Sequence, residues 1–317
     1  MAQTRRLTLW FERLIIKAEG GVTVIIDSHA HYNHAVYKKP FRYLSYDKDG
    51  YALKEGDREQ LFRELPEAGI CCSIEPGVSL QSCGEIMELC GAYPGRIFPA
   101  IGIHPTRSIH EKWSDRKKLA EYANAPGVIA IGEIGLDYHY KREEQHRMKQ
   151  HIWFLYQLNL AWKLKKPVIL HVRDAHEDAL RILKRHPVRK LGGVIHCFYA
   201  GKEIAEQYLK LGYHIGIGGS VLQQEERAKE LWDAVAQIPL ERILIETDAP
   251  FILPYCKDVL PPKLLRRTRN TSLILPAVIE KIAQIKGIAP ETVEKATAEN
   301  AIRLFQLPIT VSDENSL

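Results

Sequence analysis

Short apolar runs alternate with longer amphipathic segments along most of the chain. Each run is rich in Ile, Val and Leu and is too short for a helix, which is typical of a strand buried in a parallel sheet. The predicted strands are Thr23–Asp27, Ile70–Ile74, Ile97–Ile103, Val128–Gly132, Pro167–His171, Gly193–Cys197, Tyr213–Ile217 and Ile243–Thr247. The amphipathic segments predict the helices Asp57–Ala68, Leu80–Ala92, Asp115–Ala123, Glu143–Lys165, Ala175–Arg185, Lys202–Leu211, Glu225–Ala236, Leu275–Lys286 and Pro290–Phe305.

This alternation predicts the fold class. Eight strands alternating with helices over about 290 residues match the count and size of a (β/α)8 TIM barrel. The alternative is an open doubly wound sheet, in which ligands gather at one switch point rather than at strands spread through the chain. The sequence shows no linker or low-complexity tract, so we expect one barrel domain over residues 22–307. Residues 1–21 are then an N-terminal extension and residues 308–317 a C-terminal tail.

Two segments need a separate interpretation. The connection over residues 32–56 is too long for a routine strand–helix loop, which predicts a lid or an insertion near the mouth of the barrel. The longest helix carries Met148, Ile152, Leu155 and Trp162 in one stripe at helical spacing. Such a stripe is typical of a face that packs on the core, so we expect these four side chains to be buried.

Five of the predicted strands end in side chains that bind metals. In chain order these side chains are His29, His31, Glu133, His171, His196 and Asp248. Because the C-terminal ends of barrel strands meet at one mouth, we expect a single ring. Imidazoles suit zinc, and carboxylates extend the choice to manganese or magnesium. Six ligands exceed the need of one tetrahedral ion, so a Glu could bridge two ions about 4 Å apart that activate water.

The roles of several polar residues stay open at this point. Asp248 is placed either to bind a metal or to deprotonate a water, and both roles need an ionised carboxylate. Glu246 either pairs with a nearby base or acts at the mouth. His104, before a proline, is either structural or a hydrogen-bonding partner of the substrate. Arg173 forms either a surface ion pair or a grip on phosphate.

Composition narrows the function classes only slightly. The chain has 45% apolar and 26% charged residues and a formal charge of +5, with no apolar run long enough to span a membrane. This charge is compatible with a polyanionic substrate without requiring one. The basic run Lys263–Arg269 predicts a solvated face or a contact to nucleic acid. Six cysteines without paired spacing favour reduced thiols and a cytoplasmic location.

Several motifs, taken in order, resemble the TatD family of metal-dependent hydrolases, within the amidohydrolase-like barrels. The resemblance runs from Ile26 to about Phe305. Its motifs are Asp27-Ser28-His29-Ala30-His31, Gly102-Ile103-His104-Pro105, Gly132-Glu133-Ile134-Gly135-Leu136-Asp137-Tyr138, His171-Val172-Arg173-Asp174-Ala175, His196-Cys197-Phe198, Glu246-Thr247-Asp248-Ala249-Pro250, Arg269-Asn270 and Glu299-Asn300-Ala301. The chain departs from the family in a longer segment before Asp27, a longer connection after His31, and Thr271-Ser272 where the usual Arg-Asn-x-Pro has its proline.

The resemblance implies roles for individual residues. It implies that the metal ligands are His29, His31, Glu133, His171, His196 and Asp248. It also implies that His104 and Arg173 face the substrate phosphate or scissile group. The family is known for metal-dependent DNase activity, often exonucleolytic, and some members are linked to D-aminoacyl-tRNA deacylation.

The sequence therefore predicts a divalent-metal-dependent hydrolase that acts as a 3′–5′ exonuclease on DNA. Asp248 and Glu133 are its predicted catalytic residues, and two ions of zinc, magnesium or manganese its predicted cofactors. The alternative is an esterase or amidase such as a D-aminoacyl-tRNA deacylase. The intact ligand set disfavours a non-catalytic binding protein. DNA is the expected partner, and neither a membrane nor an obligatory protein partner is expected.

Overall fold

The barrel is built from eight parallel strands, and three further strands lie outside it. A computed structural model describes residues 24–140, 143–256 and 260–309. The strands are β1 (Ile25–Asp27), β2 (Phe41–Asp47), β3 (Gly50–Gly56), β4 (Ile70–Pro76), β5 (Ile97–Ile101), β6 (Ala130–Asp137), β7 (Val168–Arg173), β8 (Gly193–Ile195), β9 (His214–Ile217), β10 (Ile243–Ile245) and β11 (Thr268–Arg269). The main sheet has the order β1-β4-β5-β6-β7-β8-β9-β10.

The first and last strands of this sheet meet. The backbone N–H of Ser28 donates to the carbonyl of Ile245 at 3.0 Å. Just beyond this bond, Ala30 and Ala249 form a parallel bridge. The sheet therefore closes on itself, which confirms the predicted TIM barrel and excludes the open doubly wound sheet.

Helices separate most of the barrel strands and pack on their outer faces. They are α1 (Arg58–Glu67), α2 (Leu80–Ala92), α3 (Arg116–Ala123), α4 (Glu144–Leu164), α5 (His176–Arg185), α6 (Lys202–Lys210), α7 (Glu225–Gln237), α8 (Pro262–Leu265), α9 (Leu275–Lys286) and α10 (Pro290–Phe305). The side-chain amide of Asn300 connects α10 to the start of β10, the last strand of the barrel. It donates to the carbonyls of Leu240 at 2.9 Å and Ile243 at 2.8 Å. Among the described residues, no helix is long and apolar enough to cross a membrane.

Two clusters of buried side chains form the core. The larger cluster lies between strands and helices and includes residues of every helix from α1 to α7. The smaller cluster joins Ile26, Phe98, Ile169 and Leu244 of the barrel strands with Phe305 at the end of α10. Because barrel interiors are packed rather than hollow, polar chemistry is confined to the mouth.

The predicted packing of the longest helix is wrong. Met148, Ile152, Leu155 and Trp162 on α4 are between 41% and 59% exposed. Both faces of α4 are apolar, and the opposite face faces the barrel with Trp153, Phe154, Leu158, Leu160 and Ala161. The apolar surface of the buried face is wider than that of the exposed face, so its burial in the core is more favourable.

Two glutamines on α4 fix which face is buried. Gln157 accepts from the backbone N–H of Ile103 at 2.7 Å and donates to its carbonyl at 3.1 Å. Gln150 makes the same pair of bonds to Asp137, at 2.8 and 2.9 Å. Both glutamines are buried, and each satisfies a backbone group at a strand end that no neighbouring strand reaches.

The long connection after His31 contains an insertion. Strands β2 and β3 form an antiparallel hairpin, and β11 adds a third strand beside β2. Asn270, directly after β11, donates from its backbone to the carbonyl of Pro250 at 3.1 Å. This contact places the small sheet beside the segment that follows β10, at the mouth. Whether it acts as a lid stays a prediction.

The predicted division of the chain stays a prediction at its two ends. The proposed extension over residues 1–21 lies outside the described residues. The same holds for residues 310–317, which make up most of the proposed tail. Between these ends, the elements from β1 to α10 all belong to the barrel or to the small sheet beside it.

We expect Gln157→Leu to lower the free energy of unfolding by about 2–3 kcal/mol, because it leaves the N–H and C=O of Ile103 buried without partners. Urea unfolding measures this change. The control is Gln237→Leu, at an exposed position of α7, which should change stability by less than about 0.5 kcal/mol. A loss below about 1 kcal/mol for Gln157→Leu would contradict the assigned role.

Candidate metal centre

His29 and His31 follow β1 and bring their rings together. Their Nε2 atoms lie 3.1 Å apart. The ring of His29 also stacks on that of His196 at a centroid separation of 3.4 Å. Two buried imidazoles that aim ring nitrogens at one point are arranged for a shared cation rather than for a hydrogen bond.

Asp27 holds this part of the chain in place. One carboxylate oxygen accepts from the backbone N–H groups of His29 and Thr247, each at 3.1 Å. The other accepts from the hydroxyls of Thr247 and Ser272, each at 2.6 Å. Burial raises the pKa of Asp27 to about 7, although the two hydroxyls act to lower it. Asp27 thus ties the end of β1 to the segments after β10 and β11.

Glu133 enters the barrel at a bulge in β6. The register between β6 and β7 shifts there, so that Gly132 and Glu133 together face Ile169. Two residues later, Gly135 has φ +148°, and a Cβ there would overlap the carbonyl oxygen of His171. The predicted strand ended at Gly132, whereas β6 continues to Asp137. The prediction was too short because the bulge breaks the apolar run.

The two oxygens of Glu133 face different groups. Oε2 lies 3.5 Å from His29 Nε2 and 3.7 Å from His31 Nε2. Oε1 lies 2.9 Å from His171 Nδ1 and 3.7 Å from His196 Nε2. The carboxylate therefore lies between two groups of imidazoles, which is the position of a bridging ligand.

Asp248 completes the ring from the last strand. Its Oδ1 lies 3.4 Å from His31 Nε2, 3.8 Å from His29 Nε2 and 3.8 Å from His196 Nε2. The regular strand ends at Ile245, and Asp248 itself adopts the left-handed conformation with φ 54°. Aspartate tolerates this conformation better than most residues, and the turn brings its carboxylate to the mouth.

Glu246 lies beside the ring, where the sequence left two interpretations open. It is buried, and its Oε1 lies 2.9 Å from Nδ1 of His196. The same oxygen accepts from the backbone N–H of Cys197. Glu246 thus faces the ring nitrogen of His196 that points away from Glu133 and Asp248. A carboxylate there orients the imidazole and makes it a better ligand.

Of the two predicted substrate contacts, the structure brings only His104 to the ring. His104 Nε2 lies 3.4 Å from Glu133 Oε1, and its Nδ1 lies 2.8 Å from the hydroxyl of Thr106. The guanidinium of Arg173 is exposed and lies 4.8 Å from the ring centre of Tyr140. Arg173 is therefore on the rim, beyond the buried imidazoles.

Two carboxylates at the site were not predicted. Asp137 Oδ2 lies 3.0 Å from Nε2 of His171. Glu75, at the end of β4, accepts from the backbone of Tyr32 at 2.8 Å and of Asn33 at 3.1 Å, which holds the chain after His31. Glu75 could have been found as an acid at a strand end. Asp137 was missed because the predicted strand stopped before it.

The charges of the site depend on burial and on the neighbouring groups. Burial acts to raise the pKa of Glu133, but the imidazoles of His104, His171 and His29 hold it well below its usual range. Burial also lowers the pKa of His29 to about 4, with help from His196. For His196 burial is outweighed by Glu246, Glu133 and Asp248, which raise its pKa to about 10.

The donor set fits divalent cations. The described residues contain four groups of at least three ligand atoms that lie within 4.8 Å of one another, and all four groups draw on the residues around Glu133, His196 and Asp248. In addition, Nδ1 of His29 is buried without a hydrogen-bond partner among the described residues. Unpaired buried imidazoles beside anionic carboxylates are typical of a metal site.

A (β/α)8 barrel that gathers four imidazoles and two carboxylates at the C-terminal ends of its strands belongs to the class of metal-dependent hydrolases. The chain belongs to the TatD related DNase family, whose model matches residues 26–306. This match confirms the resemblance inferred from the motifs.

Individual relatives cover most of the chain. The 3′-5′ ssDNA/RNA exonuclease TatD of Rahnella sp. is 35% identical over 251 residues, which are 79% of this chain and 93% of the relative. The uncharacterized metal-dependent hydrolase YabD of Bacillus subtilis is 31% identical over 284 residues, 90% of this chain and 100% of the relative. The crystal structure of YJJV, a TatD homolog from Escherichia coli K12, has a TM-score of 0.75 at 26% identity and covers 90% of this chain and 98% of its own.

We expect His196 and His171 of the metal-free protein to stay protonated at pH 7, while His29 and His104 are neutral. Neighbouring carboxylates outweigh burial and raise the pKa of His171 to about 8 and of His196 to about 10. Burial lowers the pKa of His104 to about 3. Because the pKa values of His171 and His196 are raised in the folded state, their protonation stabilises the metal-free fold fully below about pH 6.5. This contribution is lost as the pH rises through about 8 for His171 and about 10 for His196.

NMR titration of the imidazole nitrogens measures these values. The control is Glu246→Gln, which should lower the pKa of His196 and leave that of His171 nearly unchanged, since Glu246 faces only His196. A neutral His196 at pH 7 in the unaltered metal-free protein would show that Glu246 and Asp248 do not act as described.

Proposed function

We propose that this chain is a metal-dependent exonuclease that hydrolyses the phosphodiester bonds of single-stranded DNA from the 3′ end. The observation that carries the proposal is the position of Glu133, whose two carboxylate oxygens face two different groups of imidazoles. A carboxylate shared in this way suits a pair of divalent cations. The relatives named ssDNA/RNA exonuclease support the choice of substrate.

The six predicted ligands divide into two sets that share Glu133. One set would consist of His29, His31, Glu133 and Asp248, and the other of Glu133, His171 and His196. Bound there, divalent ions would polarise a phosphoryl oxygen and lower the pKa of water, which is the chemistry that two-metal hydrolases use. Nitrogen and oxygen ligands together accommodate zinc, manganese or magnesium.

Asp248 is the proposed proton acceptor. Burial acts to raise its pKa, but His31, His196 and His29 lower it below the usual value, so the carboxylate is ionised at neutral pH. A base must lie within hydrogen-bonding reach of the attacking water. The position of Asp248 at the open side of the ring, with its carboxylate less buried than that of Glu133, supports this role. Glu133 would act with it by fixing both cations.

The rim of the mouth fits a nucleic acid strand. We propose that His104 at the ring and Arg173 on the rim contact the phosphate, which a guanidinium binds through paired hydrogen bonds. Phe251 and Tyr140 are exposed after β10 and β6, and aromatic side chains in such positions stack on unpaired bases. The exposed Lys263 and Arg266, near the small sheet, add positive charge.

We also propose that the protein works in a reducing compartment such as the cytoplasm. All six cysteines lie within the described residues, and each has a free thiol. Disulfides form and persist in oxidising compartments, so their absence from these six positions supports the proposal.

A 5′-labelled single-stranded oligonucleotide should be shortened from its 3′ end by the protein supplied with Mg²⁺, Mn²⁺ or Zn²⁺, and not by the metal-stripped protein. His196→Ala should reduce the rate at least about 100-fold, because it removes a proposed ligand. The measurement is a time course resolved on a gel. His186→Ala is the matched control, since His186 caps a short helix far from the ring.

Two outcomes would contradict the proposal. Equal activity of His196→Ala and the unaltered protein would remove the ligand assignment and indicate a contaminating nuclease. No cleavage with any of the three ions would contradict the proposed exonuclease activity. In that case the aminoacyl ester of a D-aminoacyl-tRNA becomes the next substrate to test on the same site.

Metal content tests the shared role of Glu133 separately from activity. We expect about two ions per chain in the unaltered protein, about one in His171→Ala, and none held tightly in Glu133→Ala, because only Glu133 belongs to both sets. Native mass spectrometry after saturation with Zn²⁺ and buffer exchange counts the ions. Retention of both ions by Glu133→Ala would show that Glu133 is not a bridge.

A further inference from the structure

One apolar surface of the barrel has no partner within the described residues. Nine large apolar side chains are exposed among the described residues, and four of them lie along one face of α4: Met148, Ile152, Leu155 and Trp162. Trp113 is also exposed and flanks this face, because its ring contacts those of the buried Trp153 and the half-buried Tyr156, at 5.5 and 5.4 Å. Exposed apolar side chains are normal when scattered, but four in one row along a helix face mark an interaction site.

The spacing of this stripe indicates what covers it. Met148, Ile152, Leu155, Asn159 and Trp162 follow one another in steps of four, three, four and three residues, and all five are exposed. These are the a and d positions of a heptad repeat, with Ile at a, Leu at d and one Asn at a. In parallel coiled coils, this combination of residues favours two helices and a fixed register.

We infer that α4 pairs with α4 of a second copy of this chain, in parallel orientation, along the stripe from Met148 to Trp162. A two-fold axis parallel to the helix then brings each a and d residue against its own counterpart. The stripe is self-complementary in this arrangement, so one chain supplies both surfaces. This inference does not depend on the proposed nuclease activity.

The charges beside the stripe select the parallel orientation. Glu144 and Lys149 are exposed at g and e positions, five residues apart. Side chains at g and e of two parallel helices pair across the interface, so Glu144 of each copy meets Lys149 of the other. In antiparallel helices e positions face e positions, which would bring Lys149 against Lys163 and repel.

The size of the surface fits a dimer of modest stability. The four exposed apolar side chains offer roughly 400 Å² of surface, since a large side chain has on the order of 200 Å² and about half of each is exposed. A helix of 21 residues is about 30 Å long. With the polar residues on both sides, this surface approaches the lower end of specific interfaces, about 600 Å² per partner.

The pairing leaves both metal centres accessible. Helix α4 begins after the loop at the mouth end of β6 and runs back along the outside of the barrel. In a parallel pair the two mouths therefore open on the same side of the dimer. None of the stripe residues belongs to the ring around Glu133, so dissociation should leave the chemistry of each chain unchanged.

Sedimentation velocity of the full chain over a wide concentration range tests the inference. The unaltered protein should dimerise, and Leu155→Lys should weaken the dimer at least about 100-fold by placing two lysines at the centre of the interface. Ile288→Lys is the matched control, because it makes the same kind of change at an exposed apolar residue outside the stripe. Circular dichroism confirms that both variants fold.

Charge variants test the orientation. Lys149→Glu and Glu144→Lys should each weaken the dimer about tenfold, and the double variant should restore it. A dimer that Lys149→Glu strengthens would overturn the parallel arrangement. A monomeric unaltered protein at every concentration would overturn the pairing itself. If that monomer dimerises once residues 1–21 are deleted, the N-terminal segment covers the stripe instead.

Discussion

A buried carboxylate surrounded by imidazoles is the interaction on which the site depends. Glu133 is nearly inaccessible to solvent, and desolvation alone would favour its neutral form. Five histidine rings lie within 4 Å of its oxygens, and they keep the group ionised. An anion in this position is costly without a positive counterpart. Imidazolium groups supply that counterpart in the metal-free protein, and cations would replace them when bound.

The irregular backbone around Glu133 determines the position of this carboxylate. The bulge between Ile131 and Ile134 inserts one extra residue opposite β7, and Gly135 lets the two strands approach where any side chain would collide. Asp27 and Glu75 do the same for the two histidines, since each accepts backbone N–H groups from the segment around them. Asp27 and Glu75 thus act on the backbone that presents the ligands, whereas Glu246 and Asp137 face the ligand imidazoles themselves.

Much of the fold and most of the ring could be predicted from the sequence, for a physical reason. Parallel strands that are buried on both faces have unbroken apolar sequences, so the sequence indicates where each strand ends. Closure of the barrel brings the C-terminal ends of these strands together. His29, Glu133 and Asp248 could be assigned to one mouth on this basis alone. Asp137 could not, because the bulge in β6 interrupts the apolar run and hides the last part of the strand.

The orientation of α4 was beyond prediction from the pattern because both faces of this helix are apolar. Periodicity identifies an apolar stripe but does not tell which of two stripes meets the core. Hydrogen bonds decide it: Gln150 and Gln157 are polar and yet buried, because they satisfy backbone groups at the ends of β6 and of the loop after β5. A search for apolar periodicity counts a glutamine as a sign of the exposed face, so it misses these two residues.

Helix α4 consequently connects two parts of the molecule with different demands. On its inner face, Gln150 bonds to the backbone of Asp137, and the carboxylate of Asp137 lies 3.0 Å from the ring of His171. On its outer face lies the heptad stripe. Because a helix is stiff along its length, the inner hydrogen bonds fix the position of the stripe relative to the mouth. Pairing with a second copy, as inferred above, would require the outer face to be apolar, which would account for the apolar surface exposed on this helix.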